Sequence, residues 1–535
     1  MTVGIPAPGG NPPGKTGSAR KRSAPIRYYR TVTPSGMNHE QHSKPRFFPD
    51  LLAQLGPTPD SRIFRFRARS IVDAAGIQAS PGEMLVEVRR WPNDPGTGTD
   101  VELTLLAAGE PGSVARHPAA GTAQIIDLPE HLLLPALVNA HTHLDLTHVG
   151  PRPFDRSGGF VGWIDVVRHA RHADPVEICA STRTGIELSQ LGGVAAVGDI
   201  VGCPSTGPTE IAAIELARSG LLGRSFIEYF GIGKGTERGP IRAREAVDRC
   251  ASSVRTDWRP GISPHATNTV AAEAYRRSLE DHAMPIATHV AETPEEREFI
   301  ATGRGMQRDL LVRMGVWDDA IVSGGGMCIG QGYTPVEHMA RVLDHPSARA
   351  RPSPIVLVHV NDCSDADLDR LAGLRAAGVP IAIAYCPRSS SYFHAHEHFG
   401  PHRYRDMQSR GIPVALGTDS IINLGPDGLT QGISTWGEMA HLAQRDGVRD
   451  GREHGKRDGL DAVSLLKMAT TVGAQALGLD PDLFTFQRAG PIAGVLGVVV
   501  GGPASSAAGD LSTALSAAGT GFDSPKFLLN GNKSR

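Results

Sequence analysis

Polar and apolar positions fall into three textures along the chain. Residues 1–47 hold no sustained period and are rich in Pro, Gly, Ser and basic side chains, with Glu40 the only acid. This predicts a disordered basic tail over residues 1–60, with an organelle transit peptide as the alternative. No apolar h-region of a secretory signal lies within it. From Arg62 the texture becomes short β-type runs, Ile63–Val72, Met84–Arg90, Val101–Leu106 and Thr122–Leu128, separated by Gly, Pro and Asp turns. These predict a small β-domain.

The third texture is an alternation of strand-like and helix-like segments. An apolar strand from Leu134 ends at Ala140. Seven further candidates follow it: Gly193–Asp199, Leu222–Phe230, Arg259–Ser263, Met284–His289, Pro354–His359, Pro380–Tyr385 and Ile412–Thr418. Helical patterns such as Ile211–Arg218, Val270–Asp281, Asp365–Ala377 and Tyr404–Ser409 lie between them. Eight such units predict a (β/α)8 barrel with reactive residues at the C-terminal strand ends, a doubly wound open sheet being the competing arrangement. Residues 315–350 form a longer connection, Gly-rich at Ser323–Gly332 with a helix at Pro335–Leu343, of the kind that shapes a pocket. Beyond the barrel come a helix at Thr430–Ala443, a charged linker at Arg445–Gly459 and a helix at Ala462–Ala476. Gln487–Gly501 reads as one or two strands rejoining the N-terminal β-domain, and residues 511–535 as a small polar tail of little order.

Composition narrows the function classes. A net charge of -2 gives no reason to expect nucleic acid or an anionic membrane as partner. The apolar run Ile492–Val500 is far too short to span a bilayer. Six scattered cysteines without a CxxC pair predict reduced thiols in a cytoplasmic protein.

Candidate chemistry concentrates at the strand ends. His141 and His143, two residues apart on one strand, face the same side. His265 follows the fourth strand, His289 and Glu292 end the fifth, His359 the sixth and Asp419 the eighth. Three imidazoles (His141, His143, His289) and the Asp419 carboxylate suit one divalent ion, Zn²⁺ or Fe²⁺, with room for a water. Such an ion lowers the pKa of that water and gives a hydroxide nucleophile. Asp419 can take its proton and Glu292 can shuttle protons to substrate, leaving His359 and His265 to polarise or orient it. Singly, each residue has an ordinary reading as a hydrogen-bonded histidine or a helix cap. Other motifs fail. Gly231–Gly235 has no Ser or Thr after its Lys; His289–Glu292 is one residue too long for HxE, and no PCxxC or HExxH occurs. His394, His396, His398 and His402 lack ligand spacing and read as a pocket-edge loop with one substrate contact.

The segments LPALVNAHTHLDL, SPHAT, THVAETPEE, IVLVHVND, YCPRSSSYF, VALGTDS and ATTVGAQALGL, from residue 133 to 480, resemble the amidohydrolase superfamily. Their order and the HTH, HxAE and GTDS elements match the cytosine-deaminase-like and chlorohydrolase-like branch. That branch includes guanine, adenosylhomocysteine and aminodeoxyfutalosine deaminases. Phe160–Ile164 and Gly315–Asp318 bring the chain nearer to the aminodeoxyfutalosine deaminase-like members.

The resemblance implies a deformed TIM (β/α)8 barrel over 134–480. A small β-sandwich from both terminal regions, 61–133 and 481–510, would cap it. It implies one metal held by His141, His143, His289 and Asp419, with zinc before iron. Glu292 would protonate a ring nitrogen, His359 would act on the attacking water, and His265 would contact substrate. Two-metal relatives carry a carboxylated lysine at the fourth strand, where this chain has Ser263–Pro264–His265. Arg388, where the branch commonly has CPxSN, could bind an acidic substrate group or form an ordinary ion pair. The late strand also lacks the branch's usual acidic residue, and 85–125 carries an insertion. The expected function is C–N bond hydrolysis outside peptides, most directly deamination of an aminopurine-like small molecule. An amidase, a chlorohydrolase or a non-catalytic binding barrel are the alternatives, and a homodimer is the expected assembly.

Overall fold

The computed structural model describes residues 60–91, 100–254, 260–324, 328–349, 351–424, 432–446, 461–503, 505–518 and 524–531. The tail before residue 60 and most of the Arg445–Gly459 linker lie outside them. Eight parallel strands form one sheet: β1 (Leu137–Thr142), β2 (Val194–Val201), β3 (Leu222–Tyr229), β4 (Gly261–Pro264), β5 (Ile286–Val290), β6 (Ile355–His359), β7 (Ile381–Tyr385) and β8 (Val414–Leu416). Each pairs with its sequence neighbours. β5, β6, β7 and β8 are buried at every position, which is why they read as continuous apolar runs. Residues alternate between two cores. Ala382, Ala384, Val356 and Val358 face a small-residue interior; Ile381, Ile383, Ile355 and Leu357 pack into the larger core that includes the helices.

Closure between β1 and β8 is backbone-mediated. The His141 carbonyl accepts the amides of Thr418 (2.9 Å) and Asp419 (3.1 Å). Buried Asn139 clips the same seam, donating to Thr418 Oγ1 (2.8 Å) and accepting from the Thr418 amide (3.0 Å). The eight-strand barrel is thus formed nearly as expected, and no described helix is long and apolar enough to cross a membrane.

Both terminal regions build a second, continuous eight-stranded sheet. Asp60–Val72 and Gln124–Pro135 run parallel at its centre, and Gly494–Val499 and Lys526–Asn530 extend it antiparallel. Gln124–Pro135 alternates its faces: Leu133 joins the core of this sheet, while Leu132 and Leu134 join the barrel core. Only Ala136 then separates it from β1. Asp73 ties the two regions further, accepting from Thr485 Oγ1 (2.6 Å) and the Phe486 amide (2.7 Å).

Two expectations need correction. The stretch after residue 511 is not a tail of little order, because Ala507–Ala517 is a helix and Lys526–Asn530 a strand. Leu511 and Leu515, four apart, are fully buried, and buried Asp510 receives Ser70 Oγ at 2.7 Å. A few anchors among small residues outweighed composition. The helix expected over Ala462–Ala476 splits into Ala462–Met468 and Thr471–Ala476. The break frees the Ala469 carbonyl to accept the Val138 amide of β1 at 2.7 Å.

Candidate active site

The C-terminal ends of β1, β5, β6 and β8 converge. On β1 the two-residue repeat puts the His141 and His143 rings 5.0 Å apart. The His289 ring lies 5.1 Å from His141 and 5.6 Å from His143. One ring nitrogen of each falls within 4.8 Å of the others. Asp419 Oδ1 sits 3.7 Å from His141 Nε2 and 3.5 Å from His143 Nε2. All four side chains are buried.

The protonation pattern suits a cation. Burial first, then neighbouring imidazoles, pushes the His143 and His289 pKa values well down, so both rings are neutral. His289 Nδ1 donates to the His265 carbonyl at 2.7 Å, which leaves Nε2 as a free lone pair. His141 Nε2 is buried without a hydrogen-bond partner. Burial alone would raise the Asp419 pKa, but the close approach of the His141, His143 and His359 imidazoles holds it well below the usual range. Its other oxygen, Oδ2, accepts Ser389 Oγ and Asn423 Nδ2, each at 2.7 Å. Three imidazoles and an oriented carboxylate with an orphaned ring nitrogen fit one divalent ion.

Glu292 and His359 stand beside this donor set, Oε1 to Nε2 at 3.4 Å. Burial, then the Asp419 charge, raises the Glu292 pKa well above the carboxylate range. His359 is held neutral by burial, and its Nε2 is also unpartnered. Backbone strain concentrates here. Four of the five non-glycine residues with positive φ among the described residues are Ala291 (55°), His359 (69°), Val360 (53°) and Asp419 (56°). Space is equally tight at Gly417, where a Cβ would stand 2.8 Å from His141 Cβ and 3.0 Å from Cys386 Sγ. Gly417→Ala is therefore expected to displace His141 and weaken metal affinity about tenfold or more, read by chelator competition.

A cavity of about 600 Å³ opens over these residues, a size that suits a nucleoside. Phe160, Trp163, Phe230, Leu310, Leu311 and Met314 supply apolar wall. His265 also lines it, 4.0 Å from Glu228 and against the Phe230 ring, its pKa pushed down to about 3 by burial and by Arg171.

Arg388 is not in the cavity. Its Nε reaches buried Glu438 at 2.5 Å and its Nη2 the Ser434 carbonyl at 3.1 Å, so the ordinary ion pair replaces the substrate contact. The histidine-rich loop does not line the cavity either. His394 pairs with Arg156 (2.7 Å), while His402 donates Nε2–H to the His359 carbonyl (2.8 Å) from behind. Sequence reasoning passed over Ser389, Asn423 and His402 as supports; the Ser389 of CPRSS was the one available signal.

The sequence profile of the amidohydrolase family matches residues 132–483. The chain is 31% identical to aminodeoxyfutalosine deaminase from Deinococcus radiodurans, covering 61% of this chain and 72% of that one. The crystal structure of Helicobacter pylori aminofutalosine deaminase superposes with a TM-score of 0.60 at 14% identity, covering 88% of this chain and 99% of that one. Atrazine chlorohydrolase from Arthrobacter aurescens, complexed with zinc, gives 0.56 at 18% identity over 82% and 88%. These two structures share the fold, and the profile spans the whole barrel from its entry strand past β8. The chain belongs to the amidohydrolase family.

Proposed function

We propose that this chain is a hydrolytic deaminase that replaces an exocyclic amine on an aminopurine-like ring with oxygen, water in and ammonia out. One observation carries the reading. The Glu292 carboxyl, its pKa raised by burial and then by the Asp419 charge, stands 3.4 Å from His359 and beside the Asp419 carboxylate and the cluster of His141, His143 and His289 at the floor of the cavity. His141, His143, His289 and Asp419 would hold one divalent ion, zinc first and iron(II) second. When bound, such an ion acidifies water and so supplies the nucleophile near neutral pH.

The chain's own residues do the rest. Glu292 gives its proton to the ring nitrogen next to the attacked carbon, so that the C=N electron pair has somewhere to go. Asp419 takes the proton released by the nucleophile and returns it to the departing amine, and as the C–N bond breaks the new hydroxyl gives its proton back to Glu292, leaving the oxo product and ammonia. His359 directs its unpartnered Nε2 to the reacting centre, and His265 meets the ring edge. The relative named aminodeoxyfutalosine deaminase supports a purine nucleoside as substrate. The cysteines form no disulfide among the described residues, which fits the reducing cytoplasm.

Four arginines, Arg168, Arg171, Arg238 and Arg242, also line the cavity. Arg168 pairs with Asp165 and Arg171 with Asp145, while Arg242 donates to the Thr206 carbonyl. Arg238 has no partner among the described residues, which favours a substrate carrying an anionic group.

The test is ammonia release across adenosine, 5'-deoxyadenosine, aminodeoxyfutalosine and pterins. Release from a purine nucleoside is the expected result. Silence from metal-loaded enzyme overturns it in favour of amide hydrolysis or halide displacement. Arg238→Ala is expected to raise KM about tenfold for a carboxylate-bearing nucleoside and to leave adenosine unchanged.

A further inference from the structure

Glu296 is a buried carboxylate that none of the steps above uses. It occupies the third position of the helix Pro294–Thr302, whose N-cap is Thr293. In a capping box a glutamate there reaches back to the N-cap amide. This one reaches further. Its Oε2 accepts the Glu292 amide at 2.7 Å, its Oε1 accepts the Ala291 amide at 3.0 Å, and Oε1 also accepts the Thr267 hydroxyl. Ala291 is left-handed, with φ 55°, an arrangement a non-glycine residue keeps only when its surroundings impose it. The turn separates His289 from Glu292. Thr267 lies two residues after His265, whose carbonyl fixes His289. One carboxylate thus joins the ends of β4 and β5 behind the reacting groups, and Asn361 Nδ2 holds the Glu292 carbonyl at 3.1 Å from the opposite side.

We propose that Glu296 is a positioning residue that fixes the left-handed turn at Ala291 and thereby aims the Glu292 carboxyl at the substrate ring. The inference rests on the deaminase reading for Glu292's task, but its geometry is independent of substrate identity. Glu296 touches neither substrate nor metal ligands, so its loss should appear in turnover rather than in binding.

The experiment measures kcat, KM, metal content and thermal midpoint for Glu296→Gln, with the purine nucleoside turned over fastest by wild type. An amide cannot accept from both backbone N–H groups through both of its atoms. The expected result is a kcat about 10- to 100-fold lower, with KM within twofold and full metal content. Adding Ala291→Gly, which takes positive φ without strain, is expected to recover part of that loss. A purely structural role would lower the midpoint and spare kcat, and the glycine would rescue nothing. Wild-type kcat in Glu296→Gln, or a loss matched by missing metal, overturns the proposal. If that variant does not fold, Glu296→Asp, one methylene too short to reach both amides, is judged by the same criteria. Glu292→Gln run alongside separates two failures. Full turnover in Glu292→Gln overturns the proton-transfer reading, whereas an inactive Glu292→Gln beside a fully active Glu296→Gln overturns only the positioning role.

Discussion

Glu292→Gln is expected to cut turnover by about 100- to 10,000-fold while metal content stays at the wild-type level. Glutamine keeps the shape of the side chain but has no acidic proton to give. The carboxyl it replaces is only 12% exposed, and burial and then the Asp419 charge raise its pKa. Attack on an aromatic C=N bond without a proton for the ring nitrogen leaves a localised amide anion, which the apolar cavity wall does not stabilise. Glu292 is not part of the His141, His143 and His289 set, although its carboxylate lies within 4.8 Å of ligand atoms of His359 and Asp419. Metal analysis beside steady-state kinetics checks both halves. If the ion is lost with the activity, Glu292 is a ligand and the division of labour is wrong.

Chelator treatment is the second large effect. Removing the ion is expected to abolish activity, lower the thermal midpoint, and be reversed by one equivalent of zinc. Without it, an ionised Asp419 is buried among neutral imidazoles whose lone pairs have no acceptor, an arrangement that costs several kcal/mol. Free metal at 1,000 times Kd stabilises the folded chain by about 4 kcal/mol through mass action. Titration calorimetry and scanning calorimetry read the two parts. Stoichiometry is decisive as well. Glu228, His265 and His289 also offer ligand atoms within 4.8 Å of one another. Two equivalents bound per chain would bring that second cluster into play and overturn the single-metal reading.

The barrel was legible because its strands are buried on both faces. Ile381–Tyr385 and Ile355–His359 could not be amphipathic, and uninterrupted β-branched and aliphatic runs bounded by turns have few other readings. The candidate ligands were legible because each ends such a run. What escaped is what depends on partners distant in sequence. Glu438, which claims Arg388, lies 50 residues onward on another helix. The break at Ala469 goes with its carbonyl accepting an amide of β1 from far earlier in the chain. Glu296 drew no expectation at all, since nothing local says that its carboxylate bypasses the N-cap to reach Ala291. The C-terminal helix was hidden by averaging, as two leucines and one aspartate carry it among alanines and serines.

The terminal sheet also imposes a schedule on synthesis. Gly494–Val499 lies between Gln124–Pro135 and Lys526–Asn530, so a strand made early gains its outer neighbours only after every barrel strand has been made. Until then a nascent chain with all eight barrel strands emerged presents a bare hydrogen-bonding edge one residue upstream of the strand bearing His141. A stop codon before Gly494 would release a molecule whose eight barrel strands are all present yet adhesive along that seam, a substrate for chaperones before it is an enzyme.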